Sequence, residues 1–236
     1  MTNSTARGRF AEETGDRVVL AAVVFAVLFG QVLLYPGVPD LVSALGATPA
    51  DWGGDIDAVL DAGKWFLTAE FLGFILFAGL WGAASDAIGR RTPLVITGAL
   101  VGAGGYFLLA LSAGAIPYEG VLVIRFVQGA ATIGAFSLAI TMLMDLDGGH
   151  GRNMGAAGLA IGGGTALGAP VGGQLYGVSP LAPLYGAAVV LTVAALFALA
   201  ATDRTPRSAR KISRAFDSLR RRPSLAHGAA SVRRSR

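Results

Sequence analysis

Cysteine is absent from this chain of 236 residues, which excludes disulfide bonds and thiolate metal sites. Histidine occurs only at His150 and His227, both in polar segments, and we predict no catalytic or metal-binding role for either. The sequence also lacks a Ser/His/Asp set, a phosphate-binding loop and a cluster of metal ligands. We therefore predict a protein that is not an enzyme and that holds no cofactor or metal ion.

Charged residues are scarce as well. They make up 14% of the chain, whereas an average soluble domain has about a quarter. Hydrophobic residues make up 53%, and the mean hydropathy is +0.60. The 34 glycines are typical of membrane helices that approach one another closely. This composition predicts a membrane protein.

Six apolar runs are each close to the roughly 20 residues that a helix needs to cross a bilayer. We predict an all-α membrane protein with a polar arm at residues 1–16, a six-span domain at 17–202 and a basic tail at 203–236. Spans one to three and four to six are the natural halves of an inverted repeat, which is common in transporters. The predicted spans cover residues 17–35, 62–84, 93–112, 120–144, 153–176 and 181–201.

The basic residues indicate the orientation. Except for Lys64 and Arg125, every Lys and Arg lies in a terminal segment or in a loop on one side of the membrane. Because short loops rich in Lys and Arg stay inside, both termini are predicted to be cytoplasmic, with the protein in the cell membrane. Eleven of the 19 basic residues follow Thr202, and a cytoplasmic flank explains them without a nucleic-acid partner.

Two ionisable residues lie inside predicted spans. Glu70 is roughly 12 Å below the outer end of span two, and Arg125 is in the outer third of span four. Such charges are costly unless they are paired or hydrated, so Arg125 is expected to pair with Glu70 or Asp40. The pair either pins helices together or handles protons and orients substrate. Gln31 in span one either bonds to another helix or lines a cavity.

The loop between spans two and three carries the most informative motif, which reads G-A-A-S-D-A-I-G-R-R-T-P-L. It resembles the loop signature of the major facilitator superfamily of secondary transporters. The resemblance implies a cytoplasmic gate in which Asp145 joins three charges of the motif; alternatively, the two arginines serve topology and lipid headgroups only. The matching residues are Gly82, Asp86, Gly89, Arg90, Arg91 and Leu94, while Ala84 and Ala87 depart from the signature.

Two further stretches resemble signatures of proton-coupled antiporters in that superfamily. Arg125, Gln128 and Gly129 match a signature of the fourth span, whose arginine is implicated in proton transfer. The stretch 164–173 resembles a glycine-proline signature of the fifth span, with the proline one residue late. It implies a helix bend, although ordinary tight packing explains glycines equally well. The residues of the implied bend are Gly168, Pro170, Gly172 and Gly173.

The resemblance implies proton-coupled export of a small organic molecule, with protons, substrate and lipid bilayer as partners; uptake is the alternative direction. It covers residues 17–223, which correspond to the N-terminal half of a fold whose cavity lies between two six-helix halves. Residues 208–222 are predicted to form an amphipathic helix on the inner membrane face. Near Ala226 the chain departs from the family, as a frameshift or early stop would produce. The alternative function is therefore a transport-inactive half, or a membrane partner that needs a second six-span half or a second copy.

Overall fold

A computed structural model describes the backbone of residues 2–47 and 56–201 and the side chains of residues 13–47 and 60–201. All regular elements within these ranges are helical. The predicted amphipathic helix at 208–222 and the predicted departure near Ala226 lie outside the described residues.

Prolines and one glycine explain several helix boundaries. Pro36 and Pro39 lie where the first helix gives way to a short 3₁₀ helix at Tyr35–Gly37. Gly89, with φ of +69°, forms the turn between the third and fourth helices, and Pro93 follows in the first turn of the fourth. The α-helices are α1 (Thr2–Val32), α2 (Val38–Ala44), α3 (Ile56–Ile88), α4 (Thr92–Leu111), α5 (Tyr118–Met144), α6 (His150–Tyr176) and α7 (Ala182–Ala198).

The described helices fit the six predicted spans. Five segments are long and apolar enough to cross a bilayer, and α7, with 17 residues, is at the short end of the usual range. The polar arm predicted at residues 1–16 belongs to a helix, since α1 begins at Thr2 and runs without a break into the first span. No proline precedes Pro36, so no residue of this type interrupts the helix before the end of the first span.

The long helices contact one another as the predicted inverted repeat requires. The first unit consists of α1, α3 and α4, and the second of α5, α6 and α7. α3 packs on α5 as α6 packs on α1, and α4 packs on α5 as α7 packs on α1. The contacts of α1 with α5 and of α4 with α7 join equivalent helices. Exchanging the two units therefore leaves this set of contacts unchanged, as expected for a 3+3 repeat.

Glycines allow α5 to approach both of its neighbours closely. A Cβ atom on Gly98 of α4 would lie 2.7 Å from the carbonyl oxygen of Ala131. On the other side, a Cβ atom on Gly129 would lie 2.9 Å from the Cα atom of Glu70. A hydrogen atom fits at both positions and a methyl group does not. The close approach at Gly129 brings the α3 backbone at Glu70 next to the helix that carries Arg125.

Candidate functional site

An ion pair between α3 and α5 forms the centre of the candidate site. Arg125 Nη2 lies 2.5 Å from Glu70 Oε2, and both side chains are 0% exposed. Of the two carboxylates that the sequence offered as partners for Arg125, the structure thus places Glu70 against it. Loss of either member would leave an uncompensated buried charge, so the two residues hold α3 and α5 together.

Hydrogen bonds extend this pair along α5 and across to α1. Arg125 Nη1 donates to Gln128 Oε1 at 2.7 Å, and Gln128 Nε2 donates to Thr132 Oγ1 at 3.2 Å. From α1, Gln31 Nε2 donates a long hydrogen bond of 3.5 Å to Glu70 Oε2. Gln31 is buried and makes the contact between helices that was one of its two interpretations. The network therefore joins α1, α3 and α5 at one carboxylate.

Two aromatic rings enclose the guanidinium group. The Cζ atom of Arg125 lies 4.6 Å from the centroid of the Phe66 ring and 5.3 Å from that of the Tyr106 ring. Both rings are buried, and each can attract the cation through its electron-rich face. Sequence reasoning missed both residues. Phe66 lies one helical turn before Glu70, which is a usable signal, whereas Tyr106 is brought in by the packing of α4 on α5.

The pair retains unused hydrogen-bonding capacity. Glu70 Oε1 and Arg125 Nε are buried and have no hydrogen-bond partner. A protonated carboxyl group carries its proton on one oxygen and still accepts through the other. Glu70 can therefore take a proton on Oε1 while Oε2 keeps its contacts with Arg125 and Gln31. Since neither member of the pair is exposed, an organic substrate does not reach them in this conformation.

Asp40 lies apart from the network. It is exposed and belongs to the first turn of α2, where a carboxylate is favoured by the positive end of the helix dipole. Within the described part of the chain, no hydrogen bond or ion pair joins Asp40 to Arg125 or Glu70. No contact among the described residues therefore supports the predicted role of Asp40 in proton coupling or substrate binding.

A second charged group lies where α3 meets α4 and α5 meets α6. We call this the basic end of the bundle, because Arg17, Arg90, Arg91 and Arg152 lie there. Arg91 Nη1 donates to Asp145 Oδ2 at 2.5 Å. Asp86 is exposed and, among the described residues, forms no ion pair with these two groups. Of the predicted gate, the structure brings Arg91 and Asp145 together and leaves Asp86 outside their ion pair.

Comparison with protein families gives one match. The model of the Major Facilitator Superfamily matches residues 20–235, which is nearly the whole chain. The chain belongs to the major facilitator superfamily. A search of curated proteins and a search of solved structures returned no match. The protein is therefore a multi-pass membrane protein of a transporter family, and its intramembrane charges lie in a transport fold.

The glycine-rich helix α6 of this major facilitator protein packs through one of its faces. A Cβ atom on Gly164 would lie 2.8 Å from the carbonyl oxygen of Phe25, and one on Gly168 would lie 2.8 Å from Cβ of Val32. Gly172 is packed on the backbone of Leu33 in the same manner. These three glycines, each four residues apart, let α6 lie directly on α1.

The predicted bend of α6 has less support than its packing. Pro170 lies within the helix, which continues past it to Tyr176. Gly173 faces open space, with no atom within 4 Å of an added Cβ. Close packing on α1 accounts for Gly168 and Gly172, and the bend at Pro170 and Gly173 stays a prediction.

Sequence reasoning missed a polar connection at the basic end. Arg17 Nε donates to Asn153 Oδ1 at 2.9 Å, and Arg17 Nη2 donates to the carbonyl oxygen of Asp147 at 2.8 Å. Asn153 Nδ2 donates to the carbonyl oxygen of Leu146 at 2.7 Å. Arg17 is 8% exposed and Asn153 is 1% exposed. The two residues are 136 positions apart in the chain, so no local pattern predicts this contact. An arginine at the start of an apolar run is nevertheless a signal that it has a polar partner.

Three aromatic residues, whose contacts the sequence did not predict, also hold helices of this protein together. Each donates a hydrogen bond from its indole N–H or phenol O–H group to a main-chain carbonyl oxygen of another helix or helix end, as buried Trp and Tyr usually do. The bonds are Trp81 Nε1 to Ala130 at 2.7 Å, Tyr118 Oη to Ala62 at 2.8 Å and Tyr176 Oη to Leu34 at 2.8 Å.

Proposed function

We propose that this major facilitator protein exports a small organic molecule in exchange for protons, and that Glu70 carries the proton. The complete burial of the Glu70–Arg125 pair, with Glu70 Oε1 free to accept a proton, carries the proposal. Ionisable residues within membrane helices are costly and belong to proton relays and substrate pathways by default. The match of Arg125, Gln128 and Gly129 to the antiporter signature supports the same assignment.

Protonation of Glu70 couples to conformation through the helices that meet there. Adding a proton removes the negative charge that compensates Arg125, which weakens the link between α3 and α5. Gln31 transmits the change to α1, because its amide contacts the same carboxylate. Since α1 and α5 are equivalent helices of the two units, the event acts at the junction of the repeat. A proton that binds two conformations unequally shifts their populations.

The pair Arg91–Asp145 is assigned to the gate on the cytoplasmic side. It holds the basic end closed, and its rupture admits substrate from the cytoplasm. Asp86 and Arg90 lie close enough in the chain to join the gate in another conformation. Both termini are then cytoplasmic, and the protein lies in the cell membrane. The concentration of Arg and Lys at this end supports the orientation.

Inverted membrane vesicles test proton coupling. Vesicles that contain the chain are acidified inside and loaded with a pH-sensitive dye, and a panel of cationic and neutral hydrophobic compounds is added. A substrate should release protons and raise the internal pH. Glu70→Gln should abolish this response, whereas Glu119→Gln, which changes an exposed carboxylate of α5, should retain it. A response that survives in Glu70→Gln vesicles removes Glu70 from the mechanism.

A second candidate function is a membrane subunit that acts only with a second six-helix unit or a second copy. The outer face of α6 favours it: Gly155, Gly158 and Gly162 have no atom within 4 Å of an added Cβ. Small residues at helical spacing let another helix approach closely, whereas lipid contact does not require them. The chain thus presents a surface suited to a helix of a partner.

Cysteine crosslinking tests this candidate, because the native chain has no cysteine to interfere. A cysteine at Gly158 should crosslink two chains in native membranes, or one chain to its partner. A cysteine at Leu108, an exposed position of α4, is the matched control and should not. Monomers at both positions, together with the mass of a monomer in detergent, would contradict the assembly of two copies.

A further inference from the structure

The loop between α5 and α6, residues 145–149, has a backbone that depends on two adjacent glycines. Gly148 and Gly149 have φ values of +101° and +102°, a region that other residues rarely adopt. A Cβ atom on Gly148 would also lie 3.0 Å from Arg17 Nη2. The guanidinium group of α1 is therefore seated directly against this loop.

Two buried side chains from different helices hold the residues that follow Asp145. The carbonyl oxygen of Leu146 accepts from Asn153 Nδ2 at 2.7 Å, and that of Asp147 accepts from Arg17 Nη2 at 2.8 Å. Arg17 Nε also donates to Asn153 Oδ1, so the two side chains that hold the loop are bonded to each other. Two consecutive carbonyl groups are thus fixed by hydrogen bonds that include a charged donor, which are stronger than neutral ones.

Asp145 directly precedes the two residues held in this way, and it is itself a member of the gate pair. Its backbone N–H ends α5 with a bond to the carbonyl oxygen of Thr141, and its side chain accepts from Arg91 at 2.5 Å. Once Leu146 and Asp147 are fixed, the backbone of Asp145 is held with them, which limits where its carboxylate can lie. The contact with Arg91, which comes from the loop between α3 and α4, therefore depends on α1 and α6.

We propose that Arg17 and Asn153 are positioning residues, which hold the α5–α6 loop so that Asp145 can pair with Arg91. The role of that pair as a gate rests on the proposed function, but the positioning is a property of the fold. Arginine suits the task because its rigid planar group donates from two separate nitrogen atoms, Nε and Nη2, to two different acceptors, whereas a lysine donates from a single nitrogen on a flexible chain.

The helix α1 connects the hydrogen bonds of Arg17 with the buried ion pair of Glu70 and Arg125. α1 is unbroken from Thr2 to Val32 and carries Arg17 near the basic end and Gln31 at Glu70. These two residues are roughly 21 Å apart along the helix. A movement of α1 that follows a change at Glu70 therefore displaces Arg17 and, with it, the loop that presents Asp145.

Spin labels test the positioning role on the full chain. Cysteines at Ile88 and His150, both exposed, place one label on each side of the gate in a chain that otherwise has no cysteine. The parent chain should give one narrow distribution of distances. Arg17→Lys should broaden it, and Arg91→Ala should broaden it to the same extent. Arg152→Lys, which changes an exposed neighbour of Asn153, should leave it narrow.

The combination of variants separates positioning from general loosening. If Arg17 acts through Asp145, the double variant Arg17→Lys/Arg91→Ala should be no broader than either single variant. An additive increase, or a narrow distribution in Arg17→Lys, overturns the proposal. If Arg17→Lys does not fold, Asn153→Ala is measured in its place, because it keeps the buried cation and removes the bond to Leu146. A narrow distribution in Asn153→Ala would then overturn the proposal. The measurement requires no transport, and failure of the export proposal leaves it intact.

Discussion

At the scale of single residues, the fully buried pair of Glu70 and Arg125 ties stability to the presence of both charges. Arg125→Leu leaves the carboxylate uncompensated, and we expect a loss of about 3–5 kcal/mol. The double variant Glu70→Met/Arg125→Leu should recover most of this loss, because well-packed apolar side chains often replace a buried pair without cost. Thermal unfolding in detergent measures both.

Transport by the double variant separates the two roles that were open for this pair. If the charges only pin the helices, a stable apolar replacement should still transport. If Glu70 carries the proton, as proposed, the stable double variant should show no proton-coupled transport. A double variant as unstable as Arg125→Leu would contradict the argument from charge compensation.

Trp81 gives a second prediction at the residue scale. Trp81→Phe keeps most of the ring and removes the hydrogen bond from Nε1 to Ala130, which is 2.7 Å long. We expect a loss of about 0.5–1.5 kcal/mol, the usual net contribution of such a bond. Trp65→Phe is the matched control, since Trp65 lies on the same helix and is largely exposed. Equal losses of thermal stability in the two variants would contradict the assignment.

The partner of Arg125 shows what the sequence could and could not predict at this scale. Hydropathy and cost of burial were enough to predict that Arg125 pairs with a carboxylate, and both Glu70 and Asp40 lay towards the outer side. The choice depends on the rotation of α3 about its axis and on the close approach at Gly129. Both are properties of helix packing, which the hydrophobic periodicity of the sequence does not determine.

At the scale of helices, alanine substitutions of two glycines in α6 should change the stability of the protein in opposite directions. Gly168→Ala would place a Cβ 2.8 Å from Cβ of Val32, so it should cost about 1–3 kcal/mol by forcing α6 away from α1. Gly158→Ala meets nothing within 4 Å and should stabilise the helix by up to about 1 kcal/mol, because alanine favours helix. Thermal unfolding of the two variants in detergent checks the difference. Equal shifts would mean that the glycines do not divide into a packed and an open face.

The sequence predicted the spans well and their ends less well. Apolar runs and prolines located six apolar helices, of which five are long and apolar enough to cross a bilayer, and Gly89 correctly predicted the turn before α4. The polar arm is part of α1, because no proline interrupts the helix before Pro36. The division of the α6 glycines into two faces depends on which neighbour packs where, and no pattern within α6 distinguishes them.

At the scale of the whole molecule, the symmetry of helix contacts explains why charges so far apart in sequence can act together. Exchange of the two three-helix units conserves the main contacts, and the junction of α1 with α5 lies between the units. Gln31 and Arg125 come from these two equivalent helices and meet at Glu70. A change of charge at that junction therefore acts on both units at once.

The orientation of the molecule provides the last prediction. If the basic end faces the cytoplasm, a cysteine at Ala115 or Val178, in the turns at the opposite end, should react with a membrane-impermeant maleimide on intact cells. A cysteine at His150 should react only after the cells are opened, because short loops rich in Arg stay inside. All three positions are exposed, and the native chain contributes no cysteine of its own. Labelling of His150→Cys on intact cells would reverse the orientation, and with it the assignment of Arg91 and Asp145 to a cytoplasmic gate.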